Sequence, residues 1–432
     1  MLTNNIVTTL RLLSVWLMVV YSTYVQSYSP VHNEAFYVPP SSLTQYQRGD
    51  LIRWEREPDM NHDFFTQYAV PYRIMYVSKG ASGQKVAVTA MVFIPFVDGN
   101  GNPVTGKLDA IVWAHGTVGV GDNCAPSKWP NLYPVYDVWE GYTRPASAII
   151  KNGFAAIAVD YEGIGTPGVH PWLHLESAGN TIIDGVRAYR KLGNRVGYTT
   201  TKNWGVWGHS QGSMSARAAN VLATKTAPEL NFVGSVEVAG INNINLSAGL
   251  IEQLATTTVG GYPYIGYAAH AIKALKPQFA EENLLGSVFL QEIEVEPNVF
   301  EPLFESAAEL CWDDWFFGLF DMFGYNRPAN EVLNANFASD PKIQSWLKAM
   351  SFGGFGLNDN TLSAASGPAL MIFGEIDDLF PAEMRADYLE DLDAVGAIEY
   401  STLVIPGANH DQSLEFSEQD AVDWLREQFE SN

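Results

Sequence analysis

Asn203-Trp204-Gly205-Val206-Trp207, then Gly208-His209-Ser210-Gln211-Gly212, then an alanine-rich run from Ser213 to Thr224: this stretch joins a buried-strand pattern to a helix pattern through a G-x-S-x-G pentapeptide. The two glycines let the backbone turn sharply without a Cβ clash, and the tight turn lifts the Ser210 hydroxyl clear of its neighbours. The helix start that follows presents free N–H groups, suited to a developing negative charge. Ala216, Ala218, Ala219 and Ala223 keep that helix thin enough for close packing. A serine in an ordinary Gly-rich loop would lack both flanks, so the context makes Ser210 a candidate nucleophile.

Around this turn the chain alternates strand and helix signals from Asp109 onward, the mark of a mostly parallel sheet covered on both faces. Strands are predicted at Asp109 to Ala114, Phe154 to Asp160, Trp204 to Trp207, Phe232 to Val238, Ala369 to Phe373 and Ser401 to Ile405. Helices are predicted at Pro145 to Asn152, Leu175 to Leu192, Ser213 to Thr224, Ala382 to Leu392 and Ser413 to Phe429. Upstream, strand-like runs at Tyr72 to Ser78 and Lys85 to Pro95 flank Gly80-Ala81-Ser82-Gly83, a hairpin signal, and should form an antiparallel edge. Asn33 to Asp59, with Tyr37-Val38-Pro39-Pro40 and Arg48-Gly49-Asp50-Leu51, reads as a turn-rich segment wrapped along the outside, with no part in the chemistry.

Over residues 241–367 the alternation lapses for a length no bare loop would have, and helix-like stretches such as Pro341 to Ser351 replace it. The expected organisation is a core in two parts, 28–240 and 368–432, interrupted by a mainly helical cap. Trp312, Trp315, Phe316, Leu319, Phe320 and Phe323 recur at helical spacing and make one apolar face. That face is either the core of the cap or the lining of an acyl-chain pocket.

A lone serine is a poor nucleophile near neutral pH; it needs a base to take its proton and a carboxylate to orient that base. Both follow in order. The strand ending at Phe373 runs into Gly374-Glu375-Ile376-Asp377-Asp378-Leu379-Phe380-Pro381, and the strand ending at Ile405 runs into Pro406-Gly407-Ala408-Asn409-His410, just before the last helix. Serine, acid and histidine in that order, the last two on the final strand-to-helix loops, are the arrangement of an α/β-hydrolase fold. Asp377 is preferred as the acid because the chain turns there before Pro381 opens the next helix, with Asp378 as the neighbouring alternative. The oxyanion needs two donors: the backbone N–H of Gln211, directly after the nucleophile, and one from the loop His115-Gly116-Thr117-Val118-Gly119, with Thr117 the candidate. His115 and His209 flank glycine turns and read as supports for loop geometry rather than proton carriers.

At 432 residues and 47% hydrophobic, the chain is long enough to bury such a core and a cap. Its net charge of −23 would repel phosphate over most of the surface. Nucleic acid and anionic membrane are therefore set aside as electrostatic partners, and an uncharged substrate is favoured. Transient contact with a lipid interface is compatible with this, and no obligate protein partner is evident. Residues 1–27 hold one basic residue, Arg11, the apolar stretch Leu12 to Val20 and a polar end, Val25-Gln26-Ser27. That is the layout of a secretory signal, with an uncleaved anchor as the alternative, and it predicts a secreted or periplasmic protein. Cys124 and Cys311, the two cysteines, suit one disulfide in an oxidising compartment or two buried thiols. No spacing of cysteine and histidine looks like a metal site: His170 and His174 lie beside Pro171 in a loop-like stretch, and no metal or cofactor is called for.

Several blocks together make the chain resemble the secretory lipase family of α/β-hydrolases, exported lipases and esterases of fungi and bacteria. They are Phe36-Tyr37-Val38-Pro39-Pro40, His115-Gly116-Thr117 followed by Cys124-Ala125-Pro126-Ser127, and Asp160-Tyr161-Glu162-Gly163-Ile164-Gly165 followed by His170-Pro171. Asp184-Gly185-Val186-Arg187-Ala188, the Gly208 to Gly212 elbow, Gly374 to Asp377 and His410 complete the set. The resemblance implies carboxylic ester hydrolysis by Ser210, Asp377 and His410, and a Cys124 paired with a cysteine of the cap, here Cys311. Fungal members carry a further disulfide that two cysteines cannot supply.

The expected function is an exported ester hydrolase working through an acyl-enzyme. Two other readings were weighed. A peptidase of the same fold would use the same machinery, but the chain lacks a propeller-like repeat or a large N-terminal domain. A non-catalytic binding protein of this fold would be expected to lack one of the three groups.

Overall fold

The computed structural model describes residues 34–57, 67–128, 143–241, 365–395 and 399–432, with short pieces and single positions between 264 and 341. The expected signal segment 1–27, the aromatic face from Trp312 to Phe323 and the expected helix at 341–351 beyond its first residue lie outside the described residues, as does most of 241–367.

The strands are β1 (Leu51–Arg56), β2 (Ala69–Lys79), β3 (Lys85–Pro95), β4 (Leu108–Ala114), β5 (Ala155–Val159), β6 (Thr200–His209), β7 (Asn231–Val238), β8 (Glu292–Glu296), β9 (Val299–Pro302), β10 (Ala369–Gly374) and β11 (Tyr400–Ile405). The α-helices among the described residues are α1 (Thr143–Lys151), α2 (Leu175–Val196), α3 (Gln211–Thr226), α4 (Ala382–Val395) and α5 (His410–Ser431). Nine strands form one sheet in the order β1-β2-β3-β5-β4-β6-β7-β10-β11. β1, β2 and β3 run antiparallel, β3 pairs antiparallel with β5, and from β5 to β11 every pairing is parallel. This is the expected α/β-hydrolase architecture. β8 and β9 form a separate antiparallel pair within the interval expected to be cap.

Alternation along the central strands sorts the core into two faces. Val112, Ile157 and Val206 pack under α2 and α3, whose Ile182, Val186, Ala216 and Ala219 meet them. Ile111, Trp113, Ala156 and Trp207 face the other way, against Ile149 and Ile150 of α1 and Leu414, Val422 and Leu425 of α5. The rings of Trp113 and Trp207, both fully buried, meet edge to face at 5.4 Å, a geometry worth about 1 kcal/mol beyond the area it hides.

The chain leaves β4 for β5 on one side and comes back to β6 on the other, with α1 on one face and α2 on the opposite one. That reversal opens a crevice beyond the carboxyl ends of β4 and β6, the usual ligand position in such sheets. Register brings the key loops to this rim: Ala114 pairs with Gly208, His209 with Val238, and Gly374 with Ile405.

One segment departs from the sequence reading. Leu51–Arg56, expected as part of an outer wrap, is an edge strand hydrogen-bonded to β2. An edge strand pairs on one side only and is commonly guarded by charge, so Arg53, Glu55 and Arg56 hid its pattern. Its Glu55, with Glu57 just beyond, forms ion pairs with the buried Arg73. A smaller difference concerns the last helix, which begins at His410 rather than Ser413.

Candidate active site

Ser210 stands between β6 and α3 with φ +54 and ψ −120, a conformation that non-glycine residues rarely hold. The turn is locked from several directions. The Ser210 N–H donates to the carbonyl of Val238 at 2.9 Å. A Cβ on Gly208 would lie 2.0 Å from the Gly212 carbonyl oxygen, and one on Gly212 would lie 1.8 Å from that of Ala114. Only glycine at both positions lets the elbow close against the end of β4. Ser210 occupies the N-cap of α3, yet its hydroxyl makes no capping bond and the side chain is left for other work. Gln211 opens the helix.

The acid and the imidazole meet on two neighbouring loops. Asp377 Oδ1 accepts the N–H groups of Leu379 and Phe380, both at 2.9 Å, and Oδ2 lies 3.0 Å from His410 Nδ1. Burial pushes the Asp377 carboxyl up, but the bonds from His410, Phe380 and Leu379 outweigh it and hold the group below its ordinary value. An ionised carboxylate can only accept, so Nδ1 carries the proton and the lone pair of a neutral His410 sits on Nε2. Asp378, the sequence alternative, is exposed.

The loops are stitched together. The Gly407 N–H donates to Glu375 Oε2 at 2.7 Å, Ile376 N–H to the Ala408 carbonyl at 3.0 Å, and Arg385 Nη1 to the Gly374 carbonyl at 2.6 Å. His410 is the first residue of α5, where Asn409 and Gln412 form a capping box. Its carbonyl accepts from His209 Nε2 at 3.1 Å and from the Ser413 hydroxyl at 2.6 Å. The rings of His209 and His410 are 4.9 Å apart, so the residue before the nucleophile holds the backbone of the imidazole.

On the side of the loop after β4, Thr117 is buried, and its Oγ1 accepts from Trp172 Nε1 at 3.2 Å, leaving its own O–H free to turn. His115 turns Nδ1–H onto the Gly116 carbonyl at 2.6 Å, and its own carbonyl accepts the Tyr161 hydroxyl at 3.0 Å. The Gln211 side-chain amide donates to His170 Nε2 at 3.0 Å, while His170 Nδ1–H reaches the Glu162 carbonyl at 2.7 Å. Burial lowers the imidazole of His115 to about 4 and those of His170 and His209 to about 3, so all three are neutral near pH 7. His174 caps α2 through the Ser177 N–H.

Cys124 and Cys311 form a disulfide with their Cα atoms 5.2 Å apart, and Cys311 makes an isolated antiparallel bridge with Gly119. The loop after β4 is thereby tied to a residue of the expected cap. Among the described residues one group has metal-ligand spacing, His209, His410 and Asp411, with ligand atoms within 4.8 Å of one another. Two of its imidazole nitrogens already face His410 O and Asp377.

The sequence reading assigned no chemical role to Tyr161, His170 or Trp172. The signal was present: the Asp160-Tyr161-Glu162-Gly163-Ile164-Gly165 block follows β5 directly, at the same rim as Ser210.

A family model described as secretory lipase matches residues 145–432. Lipase A of Arthroderma benhamiae is 26% identical over 215 residues, 48% of this chain and 44% of that protein. A probable inactive lipase of Mycobacterium tuberculosis is 28% identical over 123 residues, 28% of this chain and 26% of that protein. The chain thus spans less than half the length of either relative. The X-ray structure of Candida antarctica lipase A superposes with a TM-score of 0.67 at 17% identity, covering 93% of this chain and 88% of that one. At that identity the likeness speaks for the fold.

Proposed function

The chain belongs to the secretory lipase family, and on that premise we propose that it is an exported serine carboxylic ester hydrolase acting on acyl esters. Ser210 attacks the ester carbonyl as His410 Nε2 takes its proton, and Asp377 holds the imidazole in the required tautomer and stabilises the imidazolium. The backbone N–H groups of Gln211 and Thr117 receive the tetrahedral oxyanion. His410 then protonates the leaving alcohol. Water, deprotonated by the same imidazole, attacks the acyl-enzyme; the imidazolium then returns the proton to the Ser210 oxygen as the carbon–oxygen bond to it breaks and the acid is released.

One observation carries this reading: a buried carboxylate 3.0 Å from the His410 imidazole, with the His410 backbone held by the residue next to Ser210. The disulfide and the apolar segment within 1–27 support export. Residues 241–367 are the cap that covers the acyl chain in this scheme. No cofactor enters any step, and no protein partner is required.

A relative described as inactive makes the direct assay informative. Release of p-nitrophenol from short and long acyl esters by the wild-type chain, and its loss in Ser210→Ala, is the expected result. Equal turnover by Ser210→Ala, or no turnover of any ester by a folded wild-type chain, would overturn it.

A further inference from the structure

The loop after β5 reaches the oxyanion side from three points. Tyr161, its second residue, sits at φ +69, a left-handed backbone that a bulky L residue keeps only when its surroundings hold it there. Its hydroxyl does not turn back to its own strand but donates to the carbonyl of His115 at 3.0 Å, and its ring lies 4.5 Å from the His115 ring. His170 stacks on the other side of Tyr161 at 6.0 Å. Because the Glu162 carbonyl can only accept, His170 donates through Nδ1 and its Nε2 must accept, which fixes the Gln211 amide with its nitrogen toward the ring. Trp172 gives its indole N–H to Thr117 Oγ1 and stacks on Tyr264 at 5.7 Å, inside the expected cap.

All three rings are buried. Rings that merely filled the core would have no reason to aim one polar atom each at this spot. Here one bond goes to the carbonyl of His115, one to the side chain of Gln211 and one to the hydroxyl of Thr117, and the last two residues carry the proposed donors. An oxyanion hole works only if its donors are already in place when charge develops.

Resting on the hydrolase reading and going a step past it, we propose that Tyr161, His170 and Trp172 are positioning residues that hold the Gln211 and Thr117 donors at a fixed separation. The loop clamps the two halves of the oxyanion pocket, which belong to different strand ends, and through Trp172 it also meets the cap.

Three substitutions test this in the intact chain. Tyr161→Phe removes only the hydroxyl. His170→Leu removes both ring bonds, whereas His170→Gln keeps one donor and one acceptor. For each, kcat and KM on a p-nitrophenyl ester, the Ki of a trifluoromethyl ketone carrying the same acyl group, and the thermal midpoint are measured. The expected result is a fall in kcat of about tenfold or more, short of the hundred- to thousandfold that loss of a whole donor costs. KM should stay within about twofold, the ketone Ki should rise in step with the loss of kcat, and His170→Gln should recover most of the His170→Leu loss.

The proposal is overturned if Tyr161→Phe keeps kcat within about twofold of wild type, or if the losses fall on KM alone. It is also overturned if His170→Gln is no better than His170→Leu and activity simply tracks the thermal midpoint. Should His170→Leu fail to fold, Tyr161→Phe decides. These failures leave the hydrolase reading standing, since that reading is tested separately by Ser210→Ala. If the wild-type chain turns over no ester, the rate at which a fluorophosphonate labels Ser210 replaces kcat. Absence of both turnover and labelling removes the hydrolase reading and this inference with it.

Discussion

Replacing Asp377 by asparagine should cripple turnover without loosening the protein, and the geometry says by how much. Asp377 Oδ1 is gripped by the N–H groups of Leu379 and Phe380 and lies 3.2 Å from His410 Nδ1, while the remaining oxygen is the nearer acceptor of that ring proton at 3.0 Å. Asparagine has one oxygen. Two backbone donors will claim it, so the amide nitrogen must face His410 and give a hydrogen where a carboxylate received one. Nδ1 is forced to become the acceptor, the ring proton moves to Nε2, and the atom that should take the serine proton is already occupied. A wrong tautomer in an otherwise intact site costs about 10⁴ in kcat, or about 5 kcal/mol of transition-state stabilisation. KM should move little, because Asp377 is buried behind the imidazole, and the turn keeps both of its backbone bonds. Asp378→Asn, at an exposed position, should leave kcat within about twofold of wild type, as surface changes of this kind usually do. Steady-state hydrolysis of a p-nitrophenyl ester, with circular dichroism to show both variants folded, gives the comparison. The reasoning is refuted if Asp377→Asn keeps a tenth or more of wild-type kcat, or if Asp378→Asn is the more damaged of the two.

Other outcomes follow from the same packing and bonding. Gly212→Ala places a Cβ 1.8 Å from the Ala114 carbonyl oxygen, a backbone atom that cannot swing away; the expected cost is about 3 kcal/mol or more, and an unchanged urea midpoint would contradict the elbow packing. The Cys124–Cys311 disulfide closes a loop of 187 residues, so Cys311→Ser should lower unfolding free energy by about 5 kcal/mol on the chain-entropy account; a loss below about 1 kcal/mol would count against that account here. Burial lifts Asp160 from 3.8 to about 6, against the pull of its bonds from Ser127 and Thr89. The folded chain then binds this proton more tightly than the unfolded chain between those values, so the contribution of Asp160 to stability falls as pH rises through that window, by about 3 kcal/mol. Asp160→Asn should therefore cost more at pH 4 than at pH 7, measured by urea unfolding at both. Asp377, held low, contributes with the opposite sign, its stabilisation being lost as pH falls.

The sequence was most legible where local chemistry and tertiary context agree. β3 has the expected bounds, Lys85–Pro95, because a glycine-marked hairpin and an unbroken apolar run fix both ends. The parallel strands were found by their apolar runs, each within a few residues. β1 was missed because the burden of an edge strand falls on backbone bonds, which leave no mark on side-chain pattern. His410 was placed just before its helix, and the capping box at Asn409 moves the boundary back to it. Beyond the contact of Asp377 with His410, the bonds around the site were not legible. His209 to His410 spans 201 positions, Tyr161 to His115 spans 46 and His170 to Gln211 spans 41. Which of many polar side chains find each other over such separations depends on strand register, and period-2 or period-3.6 patterns do not encode that.

The choice of residue at 209 shows how the frame serves the chemistry. In the proposed mechanism His410 becomes an imidazolium during each acyl transfer, and the ring of His209 lies 4.9 Å away. Were both charged at once, the repulsion at that distance would be about 3 kcal/mol at an effective dielectric of 20, enough to slow proton transfer by about two powers of ten. A permanently cationic donor at this position, such as lysine, would impose that penalty throughout. His209 avoids it: burial and the neighbouring His410 hold its imidazole at about 3, so it gives a hydrogen bond to the His410 carbonyl while contributing no charge. The same holds for His115 and His170 beside the proposed oxyanion donors. Neutral rings donate where a backbone must be held, and the mobile charge is confined to the Asp377–His410 pair, where the carboxylate is 3.0 Å from the proton it stabilises.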